Sequence, residues 1–124
     1  MKGFEELEAW KEGRIFRKSI STLIKTFPKH EQIELSNQLR QASRSVTANI
    51  AEGYGRFHYQ ENIQFCRQSR GSLEECKDHL YTAFDEEYLD QQKLDELFEQ
   101  HKKCISLLNG YIAWLKKQKD KTTD

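Results

Sequence analysis

Apolar residues return along most of this chain in alternating steps of three and four. That is the period of a helix burying a single stripe. At about 100° per residue, Leu35, Leu39, Ala42, Val46 and Ile50 fall within roughly 80° of one another. Cys66, Ser69, Leu73, Cys76, Leu80 and Phe84 make a second such stripe, and Ala9, Gly13, Phe16, Ile20, Leu23 and Phe27 a third. A fourth joins Leu94, Leu97, His101, Cys104, Ile105, Leu108, Ile112 and Leu115. Three breaks separate them. Phe27-Pro28 holds the only proline, which disfavours helix in the residue before it. Gly53-Tyr54-Gly55 is a glycine pair suited to a left-handed cap. The acidic stretch Asp85–Asp90 ends on a residue suited to N-cap the next helix. The pattern therefore predicts helices near residues 5–27, 30–52, 59–84 and 91–118. Short connections make successive helices antiparallel neighbours. The expected fold is all-α, an antiparallel up-down-up-down four-helix bundle about 35 Å long, formed by a single domain over residues 1–118. Lys119-Asp120-Lys121-Thr122-Thr123-Asp124 reads as a polar C-terminal tail.

Some apolar residues lie off these stripes. Leu107 and Trp114 sit about 100–120° from Leu108, and Trp10 sits about 120° from Phe16. Drift of the seam toward frayed helix ends would place them there. So would a second packing surface, and the shared displacement of both tryptophans favours that reading. Gly71 points the same way. It falls mid-helix and outward, where glycine costs ~1 kcal/mol relative to alanine, and the close approach of another subunit would justify it. Trp10, Gly71, Leu107 and Trp114 are thus the expected oligomer contacts.

The 124 residues carry 20 basic and 20 acidic side chains. This balance excludes a basic nucleic-acid tail and an acidic disordered one. It is uneven locally: residues 61–90 hold eight acids and three bases, and residues 1–30 hold seven bases and four acids. No run approaches the ~18–20 apolar residues of a membrane span, and Met1–Glu6 lacks the apolar stretch of a secretory signal. Cys66, Cys76 and Cys104 are odd in number and lack paired spacing, which points to reduced thiols and a cytoplasmic location.

Few constellations suggest chemistry. Cys76-x-x-His79 and His101-x-x-Cys104 can be drawn as a zinc site across a hairpin. Three of the four lie on apolar seams, where thiols serve as small hydrophobes, and His79 points away. A Cys–His nucleophile pair lacks an oxyanion loop and an orienting acid. Gly53-Tyr54-Gly55 follows a helix, whereas phosphate-binding glycine loops follow a strand. The expectation is a protein that is not an enzyme, with no metal, cofactor or small-molecule substrate. Two flanks of the second helix say more. Gln38, Ser45, Asn49 and Glu52 line one flank, as a solvated surface or a partly buried polar network. Asn49, Glu52 and Arg56 bracket Gly53 and Gly55, and a Glu–Arg pair would lock that turn. Glu52 or Asn49 is then expected to be buried, with Gly53 as the cap. Arg40 and Arg44 line the other flank. Together with Arg56, Arg67 and Arg70 they are the candidate phosphate contacts, because arginine binds phosphate bidentately. No aromatic platform is evident, so phosphate contacts should dominate any RNA binding.

The run from Gln38 to Arg56, with Asn49-Ile50-Ala51-Glu52-Gly53 followed by Gly55-Arg56, resembles the signature of the bacterial four-helix-bundle family of 23S rRNA intervening-sequence proteins. Phe27-Pro28 with Glu31, the run Gly71-Ser72-Leu73-Glu74-Glu75, and Leu7, Trp10 and Phe65 stand where that family has similar residues. The likeness runs from about Phe4 to Leu115. It implies a small cytoplasmic bundle without known catalytic residues, often encoded within large-subunit rRNA genes. A related branch comprises accessory proteins of diversity-generating retroelements, basic pentamers that bind a reverse transcriptase and RNA. The resemblance therefore implies a cyclic homo-oligomer, with a pentamer as the expected state. The zero net charge separates this chain from the basic branch. Where the family usually has a Ser or Thr cap after Gly-x-Gly-Arg, this chain has Phe57-His58-Tyr59. The expected function is a non-enzymatic, homo-oligomeric binding protein associated with rRNA or other nucleic acid. The alternatives are a protein-interaction bundle or an accessory protein of a reverse transcriptase.

Overall fold

A computed structural model describes residues 3–122. Thr123 and Asp124 of the polar tail, and Met1 and Lys2, lie outside the described residues. Every regular element among the described residues is helical. The four α-helices are α1 (Glu8–Ile24), α2 (Leu35–Tyr54), α3 (Tyr59–Asp85) and α4 (Gln91–Lys121), with short 3-10 turns at Phe4–Glu6 and Lys29–Glu31. Helix α4 thus carries three residues of the segment read as tail, Lys119 to Lys121. The apolar stripes meet in one core that includes Phe16, Ile20, Leu39, Val46, Ile63, Leu73, Leu80, Leu97 and Leu108. Cys66, Cys76 and Cys104 lie within it as buried, free thiols.

Contacts between consecutive helices run in opposite senses. Between α1 and α2, Gly13 faces Val46 and Thr47 while Ser36 reaches the Ile24 carbonyl. Between α2 and α3, Ser69 Oγ donates to the Val46 carbonyl at 2.7 Å, and Gly53 lies against Asn62. Between α3 and α4, Arg70 bonds Asn109 and Asn62 bonds Tyr111.

The helix ends have local causes. Helix α1 stops three residues before Phe27, because side chains take up its last carbonyls. Thr26 Oγ1 donates to the Leu23 carbonyl at 2.7 Å, and Gln32 Nε2 donates to the carbonyls of Ile24 and Phe27. At the start of α4 the Asp90 carboxylate accepts from the Lys93 backbone N–H at 2.9 Å, as its N-cap position suggested. The left-handed cap is not at the glycine pair. Gly53 stays helical inside α2, and Gly55 ends the helix with φ −77°. The left-handed residue is Glu87 (φ 65°), at the end of α3, where the Tyr88 N–H reaches back to the Ala83 carbonyl.

What Gly53 supplies is space. A Cβ there would lie 2.6 Å from Asn62 Oδ1, 3.0 Å from Phe65 Cβ and 3.1 Å from the Asn62 carbonyl oxygen. Gly71 is the reverse case: it is exposed, and a Cβ would meet nothing within 4 Å. The two alanine variants should therefore diverge. Gly53→Ala gains ~1 kcal/mol of helix propensity but overpacks a backbone contact, for a net loss of about 1–3 kcal/mol. Gly71→Ala should gain ~1 kcal/mol in the isolated chain. Urea unfolding of both variants checks this, and equal effects at the two sites would contradict it.

Candidate nucleic-acid interface

The two flanks of α2 face different neighbours. Thr47 accepts a hydrogen bond from Arg17 Nη1 of α1 at 2.8 Å, and its methyl packs on Gly13. Arg44 stands one turn before Thr47 and Arg40 one turn earlier, so both lie along the groove between α1 and α2. The opposite flank turns to α3. Asn49 Nδ2 donates to the Ser45 carbonyl and hydroxyl, and Ser72 of α3 donates to Ser45 Oγ at 2.9 Å. This polar network is thus an internal seam of the bundle. Asn49 is half-buried and hydrogen-bonded, but Glu52 is not part of the network. Glu52 is exposed and lies 3.8 Å from Arg56, because α2 continues for two residues past it and turns the carboxylate to solvent.

The five candidate arginines do not share one face. Arg56 sits at the α2–α3 turn between Glu52 and Glu61, each 3.8 Å away, with its guanidinium 4.8 Å over the Phe65 ring. Arg70 bonds Asn109 of α4 at 2.7 Å, and Arg67 precedes it by one turn on α3. Arg40 and Arg44 instead join two α1 arginines that the stripes of α2 did not bring into view. These are Arg17, bonded to Thr47, and Arg14, one turn earlier and 5.8 Å over the Trp10 ring. Neither segment 13–30 nor segment 35–51 contains an Asp or Glu. Glu12, the nearest α1 acid, turns the other way and pairs with Lys103 of α4 at 3.0 Å. Two acids of the third quarter turn toward other partners. Glu74 lies 2.9 Å from His101 of α4, and Glu75 pairs with His79 one turn along α3. Helix α2 stands between these acids and the groove. At about 10–12 Å across with side chains, it keeps them at least that far from the groove.

The thiols and imidazoles sit apart from this surface. Burial pushes Cys66, Cys76 and Cys104 each up to about 12, so all three stay protonated and unreactive near neutral pH. His101 is buried against Phe16, and desolvation holds its pKa below the usual histidine value although Glu74 opposes this.

The expected subunit contacts divide as well. Trp10 is half-buried and packs edge-on against Phe4 at 5.2 Å, so its displacement is met within the chain. Leu107 is half-buried against the core. Trp114 remains 51% exposed and stacks on Tyr111, and Gly71 is open.

Residues 5–110 match the model of the family described as 23S rRNA-intervening sequence protein. The chain belongs to the 23S rRNA-intervening sequence protein family. No curated protein matches it significantly. The match takes in α1, α2, α3 and most of α4, including the whole α1–α2 groove. No helix among the described residues is long and apolar enough to cross a membrane.

Two outcomes follow for this family member. Glu52→Ala should change stability by no more than about 0.5 kcal/mol, since an exposed pair is screened by water; a urea titration checks it. For His101 the folded state prefers the neutral ring, while the unfolded chain takes up a proton near pH 6.5. Its contribution is thus present above that pH and lost as pH falls below it. Thermal melts should show the wild type losing stability as pH falls below about 6.5, with a flatter profile for His101→Gln.

Proposed function

We propose that this chain is a non-enzymatic binding protein that, as a homo-oligomer, holds RNA by its phosphate backbone along the α1–α2 groove. One observation carries the reading: Arg17, Arg40 and Arg44 stand along the α1–α2 groove, with Arg14 one turn before Arg17 on the outer face of α1, on helical segments that contain no carboxylate. Guanidinium groups present paired donors to phosphate oxygens, while Glu5, on the 3-10 turn before α1, shares a surface pocket with Arg14 and opposes part of their field. Backbone contacts carry little base information, so affinity is broad and salt-dependent. The family's description, with its rRNA setting, supports RNA as the anion. A cyclic assembly, pentameric on the family resemblance, multiplies a modest groove by the number of copies. The open outer side of α3 at Gly71 supports that face as the contact for a neighbouring copy.

The test is filter binding of rRNA fragments across a salt series, beside equilibrium sedimentation at micromolar concentration. The wild type should bind with an affinity that falls steeply with salt, as phosphate contacts release counterions. Arg40→Ala with Arg44→Ala should keep the oligomeric state and lower the log–log salt slope by about 1–2. Arg67→Ala with Arg70→Ala should leave it nearly unchanged. No retention on the order of tens of micromolar protein at low salt would overturn RNA binding, and a monomer in sedimentation would overturn the assembly.

A further inference from the structure

The α2–α3 turn gathers aromatic side chains that lie far apart in sequence. Tyr54 ends α2, Phe57 follows in the turn, Tyr59 opens α3, and Tyr111 and Trp114 come from α4. With Arg56 they line an open cavity of about 160 Å³. That is smaller than the ~300–1,000 Å³ of a drug-sized ligand site, and suits one planar ring system rather than a peptide helix.

The cavity wall is held in place. Asn62 is buried, and its amide donates to the Tyr111 hydroxyl at 3.0 Å while its oxygen accepts from the Cys66 thiol. Trp114 stacks on Tyr111 with the planes 11° apart, so Tyr111 presents Trp114 with its other side half-open to solvent. Phe57 is 91% exposed, an unusual solvation cost for a side chain of that size. The charged surroundings favour an anion. The end of α4 brings Lys116, Lys117, Lys119 and Lys121 against one acid, Asp120. Lys119 reaches across to Gln60 at 2.6 Å, which places this lysine run beside the start of α3. Arg56 is shared with Glu52 and Glu61 only through exposed contacts of 3.8 Å, which water weakens.

We propose that this cavity takes one unstacked base of a single-stranded RNA segment, with the base face on Trp114 and the flanking phosphates near Arg56 and the α4 lysines. Aromatic rings beside cationic side chains are the chemistry that recognises unpaired nucleotides, because every base has a stacking face. Tyr111 and Trp114 lie beyond the residues matched to the family, so the family match does not imply this site. The inference rests on RNA being the ligand of the α1–α2 groove, and it adds a preference for unpaired over duplex RNA.

The experiment titrates the full chain, carrying Trp10→Phe so that Trp114 is the sole tryptophan, with an oligoadenylate containing one 2-aminopurine and with a blunt RNA duplex. Trp114 emission should be quenched by the single strand and not by the duplex, and the 2-aminopurine should dim on binding. Trp114→Ala should weaken single-strand binding roughly 5- to 100-fold and leave duplex binding and the oligomeric state unchanged. Trp114→Phe should restore most of it. Binding of both RNAs with unaltered Trp114 emission would overturn the base site while leaving the backbone groove standing. Loss of the oligomer in Trp114→Ala would overturn it in favour of a subunit interface. Absence of any RNA binding by the wild type would remove both.

Discussion

The close approach of α2 to α3 is the constraint on which the other placements depend. The helices meet through small and polar residues: Ser69 donates to the Val46 carbonyl, Ser72 meets Ser45, and Gly53 accepts Asn62 where a methyl group would clash. A seam of this kind fixes register more sharply than a purely apolar one, because each donor must meet its own acceptor within about 3 Å. Slippage by one turn would leave the Ser69 hydroxyl buried without a partner, at a cost of about 1–3 kcal/mol. With α3 fixed, Asn62 can hold Tyr111 and so place the end of α4. With α2 fixed, Thr47 faces Gly13 and takes the hydrogen bond from Arg17.

Much of the architecture was legible in the spacing of apolar residues. Leu39, Val46, Leu73, Leu80, Leu97 and Leu108 all reach the core, because a stripe repeating every three to four residues has only one way to leave water in a bundle. The Asp90 cap was legible because its geometry is local. The role of Gly53 is not legible in sequence, for a physical reason. A glycine can serve backbone freedom or interhelical space, and only a neighbouring helix decides between them. The exposure of Glu52 follows from it, since a helix running through Gly53 points that carboxylate outward.

The site was less legible, because it is made by juxtaposition. Arg40 and Arg44 stood out on α2, yet Arg14 and Arg17 join them only once α1 is docked through Gly13. Arg56, Arg67 and Arg70 looked equivalent to these in sequence, and the bundle sends them to the turn and to the α4 side. A signal was available: the carboxylate-free segments 13–30 and 35–51. The net charge of residues 1–30 does not display it, since Glu5 to Glu12 precede the first segment and Glu31 and Glu34 fall between the two. The aromatic cavity had no comparable signal, as Tyr54 and Trp114 are separated by sixty positions and meet at one end of the rod.

A net charge of zero is therefore a poor guide to what this surface attracts. The cancellation is arithmetic over the chain, whereas a ligand senses only charges within about a Debye length, ~8 Å at physiological salt. Helix α3 packs on the other flank of α2 and α4 on the other flank of α1, so the acids of both lie across a helix from the groove. Glu12, the α1 acid closest to the groove, is turned to Lys103. The charges balance in sum while the two signs stay apart in space. A protein of this kind avoids the self-repulsion of a uniformly basic one while keeping a local positive field along α1 and α2. Moving a single carboxylate onto the outer side of α1 or α2 would erode that field more than adding one anywhere on α3 or α4.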